Sequence, residues 1–536
     1  MTCPLFARAA WLALTAPLLA QYDIENNDYA ETAFHLGTVD NSAIVFAGVH
    51  ETRYAFDFYS FTTVADGILE ADAELYTQLG TPLGNATGGV QLPAGTYLLS
   101  VDEWQNLTFP RPYTITLRHH PAPIATLAAG GSVPYTFARL NPSSHFPSYV
   151  ATLLRLVVPA DGHCDVRVPT ARIELLSAAM SPISDEIADR RLPTTSSNLY
   201  GGGLDTDLPA GTYYLRLVPA PAGIATFAFV PGSLPTLQCG VPVTGSLPLG
   251  NQNAVFYRLQ LGAPERVGLL LQPMTGLPAA NLMLFDAAVN RILWDDETGL
   301  GSPINRIDAT LPAGQYWVAS WAPAFQSGAG GFTLSYSCGA PSLTAVQPGR
   351  QVRALPLNQA DTVTVELGTP TRLGVGIELL AASYDYLDET AVLDSSGMLR
   401  GQSRFPSNEH LGRELDPGTY YIVTRHELGF AVNYALQLRA PLERTAPGAH
   451  STGEAGGAVL LGASLAALPS PIQLPGVLDG NLLIDPGLGA LLGVAVLDPS
   501  GAVDWPLPFP AGQGIWLQSA HLATAVASGR FGNALR

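Results

Sequence analysis

The sequence predicts an all-β chain, built as tandem β-sandwich domains followed by a small C-terminal β module. Three observations predict it. The composition is 47% hydrophobic and only 13% charged, with 54 Gly and 44 Pro, which fits many short strands joined by tight turns and is too apolar for a disordered chain. Apolar and polar residues alternate with period two in runs such as AVFYRLQLG from Ala254 and TVTVELG from Thr362, as in strands with one buried face. Finally, LPAGTY at 92–97 returns as LPAGTYY at 208–214, LPAGQYW at 311–317 and LDPGTYY at 415–421.

The glycines of these copies, Gly95, Gly211, Gly314 and Gly418, are spaced by 116, 103 and 104 residues. That period is too long for a solenoid repeat and suits a whole sandwich domain. In each copy the Leu closes an apolar strand, and Pro presets the backbone at the first turn position. The Gly is read as supplying a conformation that side chains disfavour. Thr-Tyr-Tyr then re-enters β structure, one aromatic facing the core and its neighbour facing outward. The fourth copy exchanges Pro-Ala for Asp416-Pro417 and keeps its Gly, an exchange that a turn tolerates. Upstream lie hairpin-like stretches, NLMLFDAAVNRILWDD from Asn281 and ETAVLDSSGMLRGQ from Glu389, and downstream a closing strand such as YTITLRH from Tyr113.

The order of an AFDFYSFTTV-like opening strand from Ala55, a hairpin, LPAGTY and a closing strand resembles the bacterial pre-peptidase C-terminal domain family. The resemblance covers roughly residues 22–442 as four units, with Phe58 standing where the family usually has Trp. It implies jelly-roll-like sandwiches of a kind appended to secreted peptidases and also arrayed on non-enzymatic exported proteins. The second unit departs through an insertion, SPISDEIADRRLPTTSSNLYGGG. The tail, with LDPSG at 497–501 and GRFGNALR at the end, is similar to a short C-terminal β module of exported proteins from environmental bacteria. The expected division is a signal peptide at 1–20, sandwiches at 21–121, 122–237, 238–338 and 339–442, a linker at 443–456 and the module at 457–536.

The signal-peptide expectation rests on Arg8, the apolar run at 9–19 and a small-residue cleavage site before Gln21. No later apolar run reaches the roughly 18 residues of a membrane helix. A secreted or cell-surface location follows. Of four cysteines, Cys3 leaves with the signal. Cys239 and Cys338 bracket the third unit from its first strand to its last, and a disulfide between them fits an oxidising compartment. Cys164 is then a buried free thiol.

The charge excludes several chemistries. The net charge is −18 and all 26 basic residues are Arg, so there is no lysine for a P-loop or a Schiff base. Scattered Arg on an acidic chain argues against nucleic-acid binding. HETRY at His50 and HELGF at His426 lack the second His of a zinc helix. His119 and His120 are adjacent and point to opposite faces of a solvated strand end. The glycines at 201–203 read as a loop with no helix after it, and VLDSSG around Asp394 reads as an Asp-initiated turn.

Asp295, Asp296 and Glu297 form the best candidate cluster for Ca²⁺, with the acidic stretch from Tyr22 a weaker one. Asn85 and Asn106 fit the glycosylation acceptor pattern. Trp104, Trp294, Trp317 and Trp321 are candidates for stacking on an extracellular polysaccharide or matrix protein. No catalytic, cofactor or metal residue is assigned. The expected function is an exported non-enzymatic scaffold or adhesion-type protein. The competing reading is a secreted hydrolase whose site assembles only in three dimensions.

Overall fold

In the computed structural model, the described residues comprise the strands between residues 21 and 535 with their short turns. Residues 1–20, 23–33, 103–110, 137–151, 184–201, 296–304, 380–387, 404–413 and 507–515 are the longest stretches outside that description. The described residues are all-β.

Four sandwiches share one plan. Their opening strands are Phe56–Thr63, Thr152–Val158, Gln252–Leu261 and Asp361–Leu367. Each pairs antiparallel with the strand launched by the repeated turn: Gly95–Asp102, Gly211–Val218, Gly314–Ala322 and Gly418–His426. On the far side of each launched strand runs the first strand of the hairpin: Glu74–Thr77, Arg172–Leu176, Asn281–Phe285 and Asp388–Asp394. The second sheet centres on the closing strand: Arg111–Pro121, Gly223–Pro231, Gly330–Gly339 and Val432–Arg439. It lies between an earlier strand and the one after the opening strand, as where Gly330–Gly339 lies between Val243–Leu247 and Glu265–Pro273. Apart from the two strands of a hairpin, chain neighbours thus alternate between two sheets, the jelly-roll-like pattern expected.

The hairpin is built the same way four times. Thr77, Ser177, Asp286 and Asp394 each open it, and one side-chain oxygen accepts the amides two and four residues on. The backbone closes with the amide of the fourth residue donating to the carbonyl of the first. That fourth residue needs a left-handed backbone, with φ of +82° at Gly80, +62° at Met180, +61° at Val289 and +80° at Gly397. Glycine is the ordinary solution there; Met and the β-branched Val are strained.

The repeated turn is fixed by its first aromatic. The hydroxyl of Tyr97 donates to the Pro93 carbonyl at 2.7 Å, Tyr213 to Pro209 at 2.9 Å, Tyr316 to Pro312 at 2.9 Å and Tyr420 to Asp416 at 2.8 Å. Because the acceptor is a backbone carbonyl, the Asp416-Pro417 exchange leaves this bond intact. The backbone conformation expected of the motif glycine is present in two of the four copies: φ is positive at Gly314 (+158°) and Gly418 (+154°), where side chains are disfavoured, and not at Gly95 or Gly211. At Gly95 and Gly211 a Cβ would lie in ordinary contact, 3.5 Å from the rings of Tyr97 and Tyr213, whereas at Gly314 it would stand 2.4 Å from the Ser396 carbonyl oxygen.

Cys239 and Cys338 form a disulfide with a Cα–Cα distance of 5.6 Å, continuing the ladder between Val243–Leu247 and Gly330–Gly339. Cys164 is a buried free thiol, pushed up to about 12 by burial and then by the charge of Asp207. Residues 443–456, expected as a linker, contain strands Glu443–Thr445 and Gly448–Thr452, the second paired with Ala502–Pro506. Gly202 and Gly203, expected in a loop, open strand Gly202–Leu208 because its ladder with Gly162–Val168 extends to them. Beyond residue 457, six strands form one sheet, with Gly489–Val496 at one edge.

Candidate functional site: the joints between sandwiches

The repeated chemistry of this chain converges where one sandwich meets the next. Strand alternation predicts that the second aromatic of each motif faces away from its own core. It does, but not toward solvent. Tyr214 of the second sandwich packs in the core cluster of the first. Trp317 of the third packs in that of the second, and Tyr421 of the fourth in that of the third. In each case the outer face of the hairpin sheet is the docking face.

Two of the three joints carry the same polar clamp. Asp66 sits in the turn after the first opening strand, and its Oδ1 accepts the Ala94 amide of the repeated turn at 3.0 Å. Its Oδ2 pairs with Arg155 of the next sandwich at 2.9 Å, and that guanidinium lies 5.8 Å from the centroid of the Tyr214 ring. One domain later Asp161 accepts the Ala210 amide at 2.9 Å and pairs with Arg258 at 2.7 Å, while Arg258 lies 5.1 Å from the Trp317 ring. Arg155 and Arg258 stand directly opposite those aromatics in the ladder. One carboxylate therefore holds a turn within its own sandwich and a cation on the next.

The joints also cap edge strands. A sheet edge presents unpaired backbone groups, and here neighbouring sandwiches satisfy them. Arg216 donates to the Leu83 carbonyl at 2.7 Å while held by Glu174. The Trp294 amide donates to Glu389 at 2.9 Å, and Arg425 bonds the Trp294 carbonyl and pairs with Asp295 at 3.0 Å. The Leu399 amide donates to Asp286 Oδ2 at 2.9 Å. Burial raises the Asp286 carboxyl, and bonds from Leu399, Asn290 and Ala288 work against that rise. Between the second and third sandwiches the chain adds a parallel pairing of residues 204–206 with 252–254 and a bond from Ser177 Oγ to Asn290 Oδ1 at 2.7 Å.

The candidates named from sequence are distributed accordingly. Trp294, Trp317 and Trp321 are 4%, 3% and 0% exposed in a core cluster, so the reading of them as stacking residues is corrected; Trp104 lies outside the described residues. Asp295 is buried, paired with Arg425 and accepting the Arg306 amide, which leaves it no role in a solvated calcium loop. Asp296, Glu297, residues 23–33 and Asn106 lie outside the described residues, and Asn85 ends strand Pro82–Asn85. Among the described residues no group of three or more His, Cys, Asp or Glu side chains is arranged to hold a metal ion.

His50 and His426 each end a β-strand, where no helical turn can bring a second ligand to the same face. His119 and His120 do point oppositely, but only His120 is solvated, while His119 is 1% exposed. Asp394 is the turn-opener expected. Burial alone would raise its carboxyl, and bonds from Ser396 and Arg400 outweigh that and hold it below the ordinary range. Sequence reasoning missed Asp66, Asp161, Arg155 and Arg258. The recurrence of Ala-Asp-Gly at 65–67 and 160–162 was the available signal.

The chain matches no family model and no curated protein. Among solved structures it is similar at 8% identity to the CUB1-EGF-CUB2 domain of human MASP-1/3, over 39% of this chain and 97% of that one, with a TM-score of 0.12. Lac15 from a marine microbial metagenome gives 9% identity over 57% and 87% with a TM-score of 0.12. Tripeptidyl peptidase 2 gives 11% over 94% and 39% with a TM-score of 0.13. Likeness at this level assigns no function. Among the described residues no helix is long and apolar enough to cross a membrane.

Proposed function

We propose that this chain is an exported, non-enzymatic scaffold of surface or secreted type, built from pre-peptidase C-terminal-like sandwiches, that engages extracellular polysaccharide or matrix protein weakly through several copies. The observation that carries this reading is the use made of the repeated residues. The motif aromatics, and in two joints the Arg and Asp beside them, fix each sandwich to the next, so what the repeat conserves is connection. The Cys239–Cys338 disulfide supports an oxidising destination.

With the outer faces of the second, third and fourth hairpin sheets occupied by joints, the closing-strand sheets offer faces for a ligand among the described residues. Val45, Ile224, Val230 and Val352 are at least half exposed there. Several weak sites on one chain gain avidity when they engage together. The test is a binding screen of the mature chain against glycans and matrix proteins, with and without Ca²⁺. Binding that is lost on isolating one sandwich supports the scaffold; polymer hydrolysis without retention overturns it.

A further inference from the structure

The segment leading from the second sandwich into the third does more than connect them. Residues 232–241 follow closing strand Gly223–Pro231 and run as a strap along the opening strand of the third sandwich. The Gly232 amide donates to the Asp161 carbonyl at 3.0 Å. Both backbone groups of Arg258 are taken by the strap: its amide donates to the Pro235 carbonyl and its carbonyl accepts the Leu237 amide, each at 2.8 Å. The strap thus holds the main chain of both members of the Asp161–Arg258 clamp. Leu234 is buried in the cluster of the second sandwich and Leu237 in that of the third. At its far end the Gly240 amide donates to the Tyr336 carbonyl at 2.8 Å, and Cys239 is bonded to Cys338 of the third closing strand. Both cysteines are exposed. The Cys338 amide also donates to Cys239 Sγ at 3.2 Å.

We propose that Cys239–Cys338 is a thiol-exchange site, attacked at Cys338 by an external thiol, and that its opening releases the strap and loosens the joint between the second and third sandwiches. Exchange is fast where the attacked sulfur is accessible and the departing thiolate is stabilised. The Cys338 amide is already aimed at Cys239 Sγ, so negative charge developing there is stabilised and Cys239 is the leaving group. The incoming thiolate sulfur bonds to Cys338 Sγ, the Sγ–Sγ bond breaks, and its electron pair leaves on Cys239, which takes a proton from water. With a dithiol, the second thiolate then attacks the sulfur of the first and Cys338 departs as a thiolate. The dithiol is oxidised to a cyclic disulfide as the protein gains two electrons. Once the bond is open, the turn at 238–241 is held by backbone hydrogen bonds, with Gln238, Cys239 and Gly240 exposed. Exposed bonds of this kind open locally at little cost, and the strap that fixes Arg258 against Asp161 opens with them. The ladder between Glu265–Pro273 and Gly330–Gly339 does not depend on the sulfurs and is retained. The inference rests on the fold and is independent of what the scaffold binds.

The test treats the folded mature chain, without denaturant, with reduced glutathione, stops the exchange in acid and maps the trapped mixed disulfide by peptide mass spectrometry. Glutathione is expected on Cys338 at least about fivefold more than on Cys239. Hydrogen exchange is then compared among the oxidised chain, the chain reduced by dithiothreitol and the double variant C239S/C338S. With the bond absent, peptides carrying the Leu237, Gly240 and Arg258 amides should exchange at least about tenfold faster, while those of strand Glu265–Pro273 keep their protection. Glutathione found equally or preferentially on Cys239, or a bond that resists both thiols, overturns the exchange site. Strap peptides unchanged by reduction overturn the release. Protection lost throughout the third sandwich together with the strap does so as well, because the bond is then a staple of that core.

Discussion

Arg258 Nη2 lies 2.7 Å from Asp161 Oδ2, across the boundary between two sandwiches and beside the Trp317 ring. The same triplet, Arg155 with Asp66 and Tyr214, stands one domain earlier. The third joint lacks it, since Thr364 occupies the ladder position opposite Tyr421. Its polar connection is instead made by Arg425, Asp295 and Glu389.

Because Arg258 and Asp161 are partly exposed, their pairing is weak by itself. A double-mutant cycle with Arg258→Ala and Asp161→Ala should give a coupling of about 0.5–1 kcal/mol, screened by salt. Asp161→Ala alone should cost more than Arg258→Ala, because it also removes the acceptor that holds the Ala210 amide of the repeated turn. Denaturant unfolding of the four chains at low and high salt checks both statements.

Tyr213→Phe removes the bond to the Pro209 carbonyl while keeping the ring. It should destabilise the chain by about 1–2 kcal/mol, the cost of a buried acceptor left alone. Burial raises the Tyr213, Tyr97 and Tyr316 hydroxyls above the ordinary tyrosine range. Alkaline titration of the native chain should therefore show these rings ionising only on unfolding.

Val289 occupies the left-handed position that Gly80 and Gly397 fill elsewhere, and its side chain is buried in the second sandwich's cluster. Val289→Gly relieves roughly 1–2 kcal/mol of backbone strain and loses about 1.5–3 kcal/mol of burial, before any cavity cost. A net loss of about 1 kcal/mol or more is expected by chemical denaturation. A gain in stability would mean that the side chain contributes nothing to the joint.

Asp394 has its folded carboxyl held below its ordinary value of 3.8. The unfolded chain then binds the proton more readily, so the contribution is complete above that value and is lost as pH falls through the lower folded value. Asp394→Asn should reduce stability at neutral pH and flatten the acid limb of the stability–pH curve. Thermal unfolding across the acid range measures this.

Reduction of Cys239–Cys338 releases a crosslink between residues 99 apart in sequence. The loss expected is about 2–5 kcal/mol, because such a crosslink restricts the unfolded chain. Thiol labelling before reduction should leave Cys164 unmodified in the folded protein, since it is buried and stays protonated.

What the sequence by itself determined is local. Period-two alternation and turn residues set the strands, and the spacing of the four motif glycines marked equivalent positions in four sandwiches. Asp394 as a turn-opener and the Cys239–Cys338 pairing were legible because each depends on chemistry within one unit. Tertiary structure decided what lies against the second face of each launched strand. Alternation says that Tyr214, Trp317 and Tyr421 leave their own cores; it cannot say whether water or another sandwich receives them. That outcome depends on how consecutive sandwiches are rotated, which is set by the turns carrying Asp66 and Asp161, by Arg155 and Arg258 across the boundary, and by the 77–81 hairpin reaching Gln402. These contacts join residues from roughly 90 to more than 300 positions apart. A strand pattern records that a side chain is buried and carries no information about which domain buries it.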